Sequence, residues 1–127
     1  MIQTYVWVAL GGALGSMARY WMANAVAALT GPAFPWGTLG INIIGSFVIG
    51  LFYALTGPGG RFDVASDARI FVMVGLCGGF TTFSSFSLQT LLLLQDGEVV
   101  RAGAYIIGSV VLCLLFVWVG VLLGFAR

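Results

Sequence analysis

The chain has 127 residues, of which 61% are hydrophobic and only 7% are charged, and its net charge is +1. Because soluble domains usually carry charge on roughly a quarter of their residues, this composition excludes an ordinary water-soluble domain. The few, scattered basic residues also argue against a nucleic-acid-binding surface. Each helix needs about 20 apolar residues to cross a bilayer, so the sequence predicts one all-α domain, residues 1–127, with four transmembrane helices.

Turn signals rich in Gly, Pro and polar residues separate the four predicted helices. The predicted spans cover residues 4–29, 36–56, 70–94 and 102–125. Small residues recur at a spacing of four within the spans, which indicates close helix packing, either inside one bundle or between subunits. The pairs with this spacing are Gly11/Gly15, Gly75/Gly79, Ala104/Gly108 and Gly120/Gly124.

Arg19 is the only charged residue predicted well inside a span. At the centre of a bilayer an arginine costs roughly 3 kcal/mol on insertion scales, so its side chain needs a polar destination. If the first helix ended near residue 24, the guanidinium would reach the membrane interface. Otherwise we expect Arg19 to lie at a water-filled vestibule, where it would raise the local concentration of anions.

The second span carries a polar stripe, because Thr38, Asn42 and Ser46 are spaced by four and share one helix face. The amide of Asn42 offers two N–H donors. It would serve either as an interhelical hydrogen bond between packed helices or as a donor to an anion, and the sequence leaves both interpretations open.

The third span is unusual for a transmembrane helix. Gly78 and Gly79 at mid-span favour a break, and five hydroxyl residues follow within seven positions. One or two hydroxyls could bond back to their own helix, but five together favour a broken helix that lines a polar cavity. After the break Phe83, Phe86 and Ser87 share a face with Thr90. Aromatic edges carry partial positive charge, so ring edges beside hydroxyl donors suit a small, hard anion.

The fourth span adds Tyr105 and Ser109, which share a face that Cys113 continues. These residues are explained equally well by helix packing. No acidic residue lies inside any predicted span, which argues against proton-coupled transport. The spans also contain no general base, metal-ligand cluster or nucleophile pair, so the sequence does not predict an enzyme.

Two other classes of membrane protein compete with an anion pathway. A small four-helix exporter would need an embedded acid, which the predicted spans lack. A non-transporting assembly subunit would not need the polar residues that the spans contain.

The arginines predict no single orientation in the membrane. Both termini are expected on the same side as Arg61, Arg69 and Arg127, while Arg101, and Arg19 if it reaches the surface, lie on the other side. Three against two is a weak bias under the positive-inside rule. We therefore expect insertion in both directions and an antiparallel, dual-topology homodimer with its two-fold axis in the membrane plane.

Three motifs along the chain are typical of one family. They are Gly15-xxx-Arg19, then Trp36-Gly37-Thr38-Leu39 with Asn42 and Gly45, and the long string from Gly78 to Ser87. With these motifs the sequence resembles the Fluc (CrcB) family of fluoride channels over essentially its whole length. The resemblance implies an antiparallel dimer with two fluoride pores, which passively exports fluoride from the cytoplasm across the cell (inner) membrane.

The resemblance also implies roles for individual residues. The pore of such channels is lined by residues that match Asn42, Phe83, Phe86, Tyr105 and Ser109. We add Thr38 and Ser87 to the predicted pore and Arg19 to a vestibule. A structural Na⁺ on the two-fold axis would be held by backbone carbonyls that map to Gly78 and Thr81. Gln89 stands where many relatives have Glu, and selectivity for fluoride over chloride follows from the resemblance alone.

Overall fold

The computed structural model describes residues 1–126, in which all regular secondary structure is helical and no β-strand is present. The helices are α1 (Ile2–Thr30), α2 (Trp36–Thr56), α3 (Ser66–Ile70), α4 (Cys77–Phe80), α5 (Phe83–Gln95) and α6 (Val99–Phe125), and a π-helical segment (Phe71–Leu76) joins α3 to α4. The predicted all-α class is confirmed, and the second span has the predicted bounds. Arg127, which entered the charge count, lies outside the described residues.

Three of the four predicted crossings are helical segments that are both long and apolar enough to span a bilayer. These segments are Trp36–Thr56, Ser66–Gln95 and Val99–Phe125. Helix α1 has 29 residues and is long enough, but Gln3, Arg19 and Asn24 dilute its apolar character. Length and composition therefore show a protein that crosses the membrane several times.

The third segment begins earlier than predicted, and this brings one acidic residue into it. Asp67 lies in the first turn of α3, where the helix dipole favours a negative charge. Its Oδ1 accepts a hydrogen bond of 3.1 Å from the hydroxyl of Thr4 on α1. The prediction that no acid lies in a span is thus wrong for this terminal turn, although Asp67 lies at the end of the segment.

The third helix is broken, as predicted, but at Thr81 and Thr82 instead of at the two glycines. Thr82 has extended backbone angles and caps α5, because its Oγ1 accepts from the amide of Ser85 at 3.2 Å. The hydroxyl of Thr81 donates back to the carbonyl of Cys77 at 2.8 Å and ends α4. Hydroxyl capping therefore sets the position of the break.

Glycines bring the helices into close contact within the bundle. Gly79 of α4 lies so close to α1 that an added Cβ would be 2.6 Å from the carbonyl oxygen of Gly12. Gly120 and Gly124 of α6 lie equally close to the backbone of α2. Three of the four predicted small-residue pairs thus serve packing within one chain, whereas a Cβ at Gly108 would have no neighbour within 4 Å.

We expect Gly11→Ala to destabilise the protein and the adjacent Gly12→Ala to leave its stability unchanged or slightly higher. A Cβ at Gly11 would lie 2.6 Å from the carbonyl oxygen of Phe71, whereas a Cβ at Gly12 would have no neighbour within 4 Å. Overpacking costs about 1–3 kcal/mol, while Ala is the better helix former by about 1 kcal/mol. Thermal denaturation in detergent, followed by size-exclusion chromatography, measures the difference. Equal losses for the two variants would contradict this packing.

Candidate functional site

A cavity of about 420 Å³ lies where the break in the third segment meets α2 and α6. Four of the predicted pore residues line it together, although they come from three separate parts of the chain. They are Asn42, Phe83, Phe86 and Ser109. Thr81, Thr82 and both cysteines also contribute to the wall, and no acidic or basic residue does.

The side chain of Asn42 is fixed by the backbone of the break. Its Oδ1 accepts from the Thr82 amide at 2.8 Å, and its Nδ2 donates to the Thr82 carbonyl at 3.1 Å. This pair of bonds uses one of the two Nδ2 hydrogens and leaves the other available. Nearby, Gly45 allows α2 to approach the break, because an added Cβ would collide with the methyl group of Thr81. The interhelical bond is therefore present, and donation to an anion stays a prediction.

Ser109 lines the cavity and carries a buried hydroxyl without a partner in the described part of the chain. The residue is only 6% exposed, and its Oγ has no hydrogen-bond partner among residues 1–126. A buried polar atom without a partner costs about 1–3 kcal/mol, and such atoms are normally satisfied in folded proteins. The hydroxyl is thus suited to a polar occupant of the cavity.

A row of aromatic rings leads away from this cavity. The ring centroids of Phe83 and Phe86 are 5.5 Å apart, and those of Phe86 and Tyr105 are 5.0 Å apart. Phe83 is 77% exposed, Phe86 is 9% exposed and Tyr105 is fully buried. The Tyr105 hydroxyl donates to Oε1 of Gln89 at 2.7 Å, which connects α6 to α5.

A second cavity, of about 330 Å³, lies beyond the aromatic row. Thr38 and Gln89 line it together with Trp36 and Asp96. The predicted pore residue Thr38 lies one turn from Asn42 along α2, yet it lines the second cavity whereas Asn42 lines the first. Phe86 lines the first cavity, whereas Tyr105, which contacts Phe86 and bonds to Gln89 of the second cavity, lines neither.

Ser87 and Arg19 lie outside both cavities. The Ser87 hydroxyl donates to the Phe83 carbonyl at 3.0 Å, so it bonds back to its own helix. The guanidinium of Arg19 was expected to reach the membrane interface if the first helix ended near residue 24, but α1 continues to Thr30. Instead, Nε of Arg19 donates to the Gly79 carbonyl at 3.0 Å.

The carbonyls of Gly78 and Thr81, predicted to hold Na⁺, lose their helical donors at the break. In a continuous helix they would accept from the amides of Thr82 and Ser85. The Thr82 amide donates to Asn42 instead, and the Ser85 amide donates to the Thr82 hydroxyl. Two hard oxygen acceptors are therefore left at the break, and Gly78 is exposed on the surface of the chain.

Two contacts of the site were not foreseen from the sequence. Thr82 was counted among the hydroxyls, but its backbone is what holds Asn42. Gln89 was noted as a departure from relatives, but its bond to Tyr105 joins residues sixteen positions apart in sequence. Gln89 lies three residues after Phe86, so the two residues share a face of α5. This spacing is the one sequence signal for the position of Gln89.

Comparison with known proteins gives consistent matches along the chain. The family described as CrcB-like protein, Camphor Resistance (CrcB), matches residues 6–121. The fluoride-specific ion channel FluC of Methylocella silvestris is 61% identical over 116 residues, which cover 91% of this chain and 88% of that protein. The protein of the same name from Rhodospirillum rubrum is 59% identical over 117 residues, covering 92% and 91%. That from Opitutus terrae is 58% identical over 116 residues, covering 91% and 88%.

Proposed function

This chain belongs to the CrcB family, and on that premise we propose that it is a fluoride-selective ion channel that lets fluoride leave the cytoplasm passively. The cavity at the break carries the proposal, because Asn42 and Ser109 offer hydrogen-bond donors there and no carboxylate lines the wall. Donors without a nearby negative charge favour an anion over a cation. The preference for fluoride rests on the relatives, which are named fluoride-specific channels.

The competing classes fit these observations less well. An exporter driven by protons needs a titratable group in its pathway, and neither Asp67 nor any other acid lines the cavity at the break. An assembly subunit gains nothing from a buried hydroxyl without a partner. A channel, which catalyses no reaction, accounts for both features.

Fluoride efflux from liposomes that contain the purified protein tests the proposal. With the membrane potential held at zero and equal pH on both sides, we expect rapid efflux down the fluoride gradient. Because no acid lines the cavity at the break, a protonophore should not change the rate. Protein-free liposomes are the control. Efflux that requires a proton gradient would contradict a passive channel.

The proposed assembly is a homodimer of four-helix subunits in the cell (inner) membrane. Helix α1 would be the fourth crossing, since its Gly11 and Gly15 hold it tightly along the third segment. Phe83 and Gly78 are exposed beside the cavity of the single chain, where a second copy would cover them. Few arginines flank the helices, three on one side and, with Arg19 held inside the bundle, one on the other, so the orientation signal is small and we expect both orientations.

Dual topology predicts that a tag at the C-terminus is accessible from both sides of the membrane. Adding several lysines to the loop between α2 and α3 should fix one orientation, because cytoplasmic loops retain positive charge. We expect the fixed variant alone to lose fluoride flux, and co-expression with a partner fixed in the opposite orientation to restore it. Active wild-type protein with every C-terminus on one side would contradict the antiparallel dimer.

We extend the proposal to a structural Na⁺ at the centre of this dimer. Carbonyls of Gly78 and Thr81, whose helical donors are engaged elsewhere, fit a monovalent ion. Neutral oxygens without a carboxylate suit Na⁺ better than Ca²⁺ or Mg²⁺, which favour anionic ligands or retained water. The ion would neutralise exposed acceptors at the break and hold the two subunits together.

A further inference from the structure

Arg19 makes a contact that its charge alone does not explain. Its Nε donates to the Gly79 carbonyl at 3.0 Å, across sixty positions of sequence. In a continuous helix this carbonyl would accept from the amide of Phe83, but Phe83 begins the next helix. Arg19 thus supplies a donor at the end of α4, where the helix dipole also favours a positive charge.

The position of Arg19 makes this contact costly to replace. The residue lies eleven positions before the end of α1, or about 16 Å along the helix axis. Without the Gly79 carbonyl, the guanidinium would lie far from the interface with fewer polar partners. Its terminal nitrogens have no hydrogen-bond partner among residues 1–126, so an electrostatic role toward anions is a real alternative.

The break is held from two sides. Arg19 of α1 binds the carbonyl of Gly79. Asn42 of α2 binds the amide and the carbonyl of Thr82, which lies three residues after Gly79. Only Phe80 and Thr81 lie between the two bound residues. A movement of the Gly79 carbonyl would therefore move Thr82 and, through it, the amide of Asn42.

We propose that Arg19 is a positioning residue: its Nε–H fixes the break at Gly79 so that Asn42 presents its free N–H to the cavity. This inference rests on the proposed channel function and assigns Arg19 a role other than attracting anions. The two roles differ in which atom of the side chain matters. Positioning requires a donor at Nε, whereas attraction requires only the positive charge.

Lysine separates the two roles. A lysine side chain keeps the charge but has a methylene at the place of Nε, and its ammonium lies one bond further out. For positioning, we expect Arg19→Lys to lower the maximal fluoride flux about tenfold, even at saturating fluoride, whereas Arg19→Gln, whose Nε2–H lies as many bonds from Cα as Nε of arginine, should keep most of the maximal flux. For attraction, Arg19→Lys would conduct normally, and Arg19→Gln would raise the half-saturating fluoride concentration with the maximal flux unchanged. Arg101→Lys, which keeps an exposed charge at the start of α6, is the matched control.

Two NMR measurements on the wild-type protein and its variants decide the role without relying on flux. The Hε of Arg19 should exchange slowly with deuterium in protein labelled with ¹⁵N-arginine. The side-chain amide signals of Asn42 should shift in Arg19→Lys and stay in place in Arg101→Lys. Fast exchange of the Arg19 Hε in the wild-type protein would overturn the proposal, even if the variants did not fold. Unchanged Asn42 signals in Arg19→Lys, or normal fluoride flux through that variant, would overturn it as well.

Wild-type protein without fluoride flux would overturn the channel function instead, and the Asn42 signals would still decide the role of Arg19.

Discussion

Replacing Asn42 with alanine is expected to lower fluoride flux about tenfold to a hundredfold. A hydrogen bond to a charged group contributes about 1.5–3 kcal/mol, and each 1.4 kcal/mol is a factor of ten. The variant loses the Nδ2 hydrogen that Thr82 does not use, on a residue that lines the cavity, and it also releases the backbone of Thr82. Fluoride efflux from liposomes measures the loss.

Asn42→Asp separates these two contributions. The aspartate keeps an oxygen for the Thr82 amide but has no donor for an anion and adds a negative charge. We therefore expect flux at least as low as in the alanine variant. Asn24→Ala is the matched control, because Asn24 is exposed on α1 and lines neither cavity. Normal flux in both Asn42 variants would place the pathway elsewhere.

Truncating the two phenylalanines after the break should give two different results. Phe83 is exposed in the single chain and lines the cavity, so Phe83→Ala should reduce flux severalfold without unfolding the subunit. Phe86 is buried between Phe83 and Tyr105, so Phe86→Ala should reduce flux and also cost about 3–5 kcal/mol of stability. Flux and thermal stability are measured on the same preparations.

Leu88→Ala is the matched control for the phenylalanine variants, since Leu88 lies on the same helix and is 57% exposed. Its truncation should leave flux unchanged. If Phe83→Ala conducts as well as Leu88→Ala, ring edges at this position do not contribute to the pathway. The expected loss of stability in Phe86→Ala differs from what the sequence suggests, because its burial against Tyr105 depends on a distant helix.

The architecture was largely predictable, because its determinants are local. Gly31 with the two prolines that follow it, and the Gly- and Pro-rich run after Thr56, terminate helices through local backbone chemistry. The spacing of Thr38, Asn42 and Ser46 on one face followed from helix geometry alone. Arg19 and Asn24 lower the apolar character of α1, and only the contact with Gly79 of α4 explains where the Arg19 side chain lies.

The finer features of the site depend on partners that sequence spacing does not reveal. The break lies at Thr81 and Thr82 because a hydroxyl cap and Asn42 hold the backbone there, whereas Gly79 serves close packing against α1 and a Cβ at Gly78 would have no neighbour within 4 Å. Ser87 was grouped with the phenylalanines by its helix face, yet its hydroxyl bonds to its own helix. Thr38 shares a stripe with Asn42 but lines another cavity, which spacing along the helix does not reveal.

The ratio of fluoride to chloride permeability tests the central claim most directly. In a planar bilayer with fluoride on one side and chloride at the same concentration on the other, the reversal potential gives this ratio. We expect a large reversal potential of the sign set by fluoride. Asn42→Ala should lower the current and leave the sign of the reversal potential unchanged. A reversal potential near zero, which would mean equal permeability of the two anions, would contradict a fluoride-selective channel.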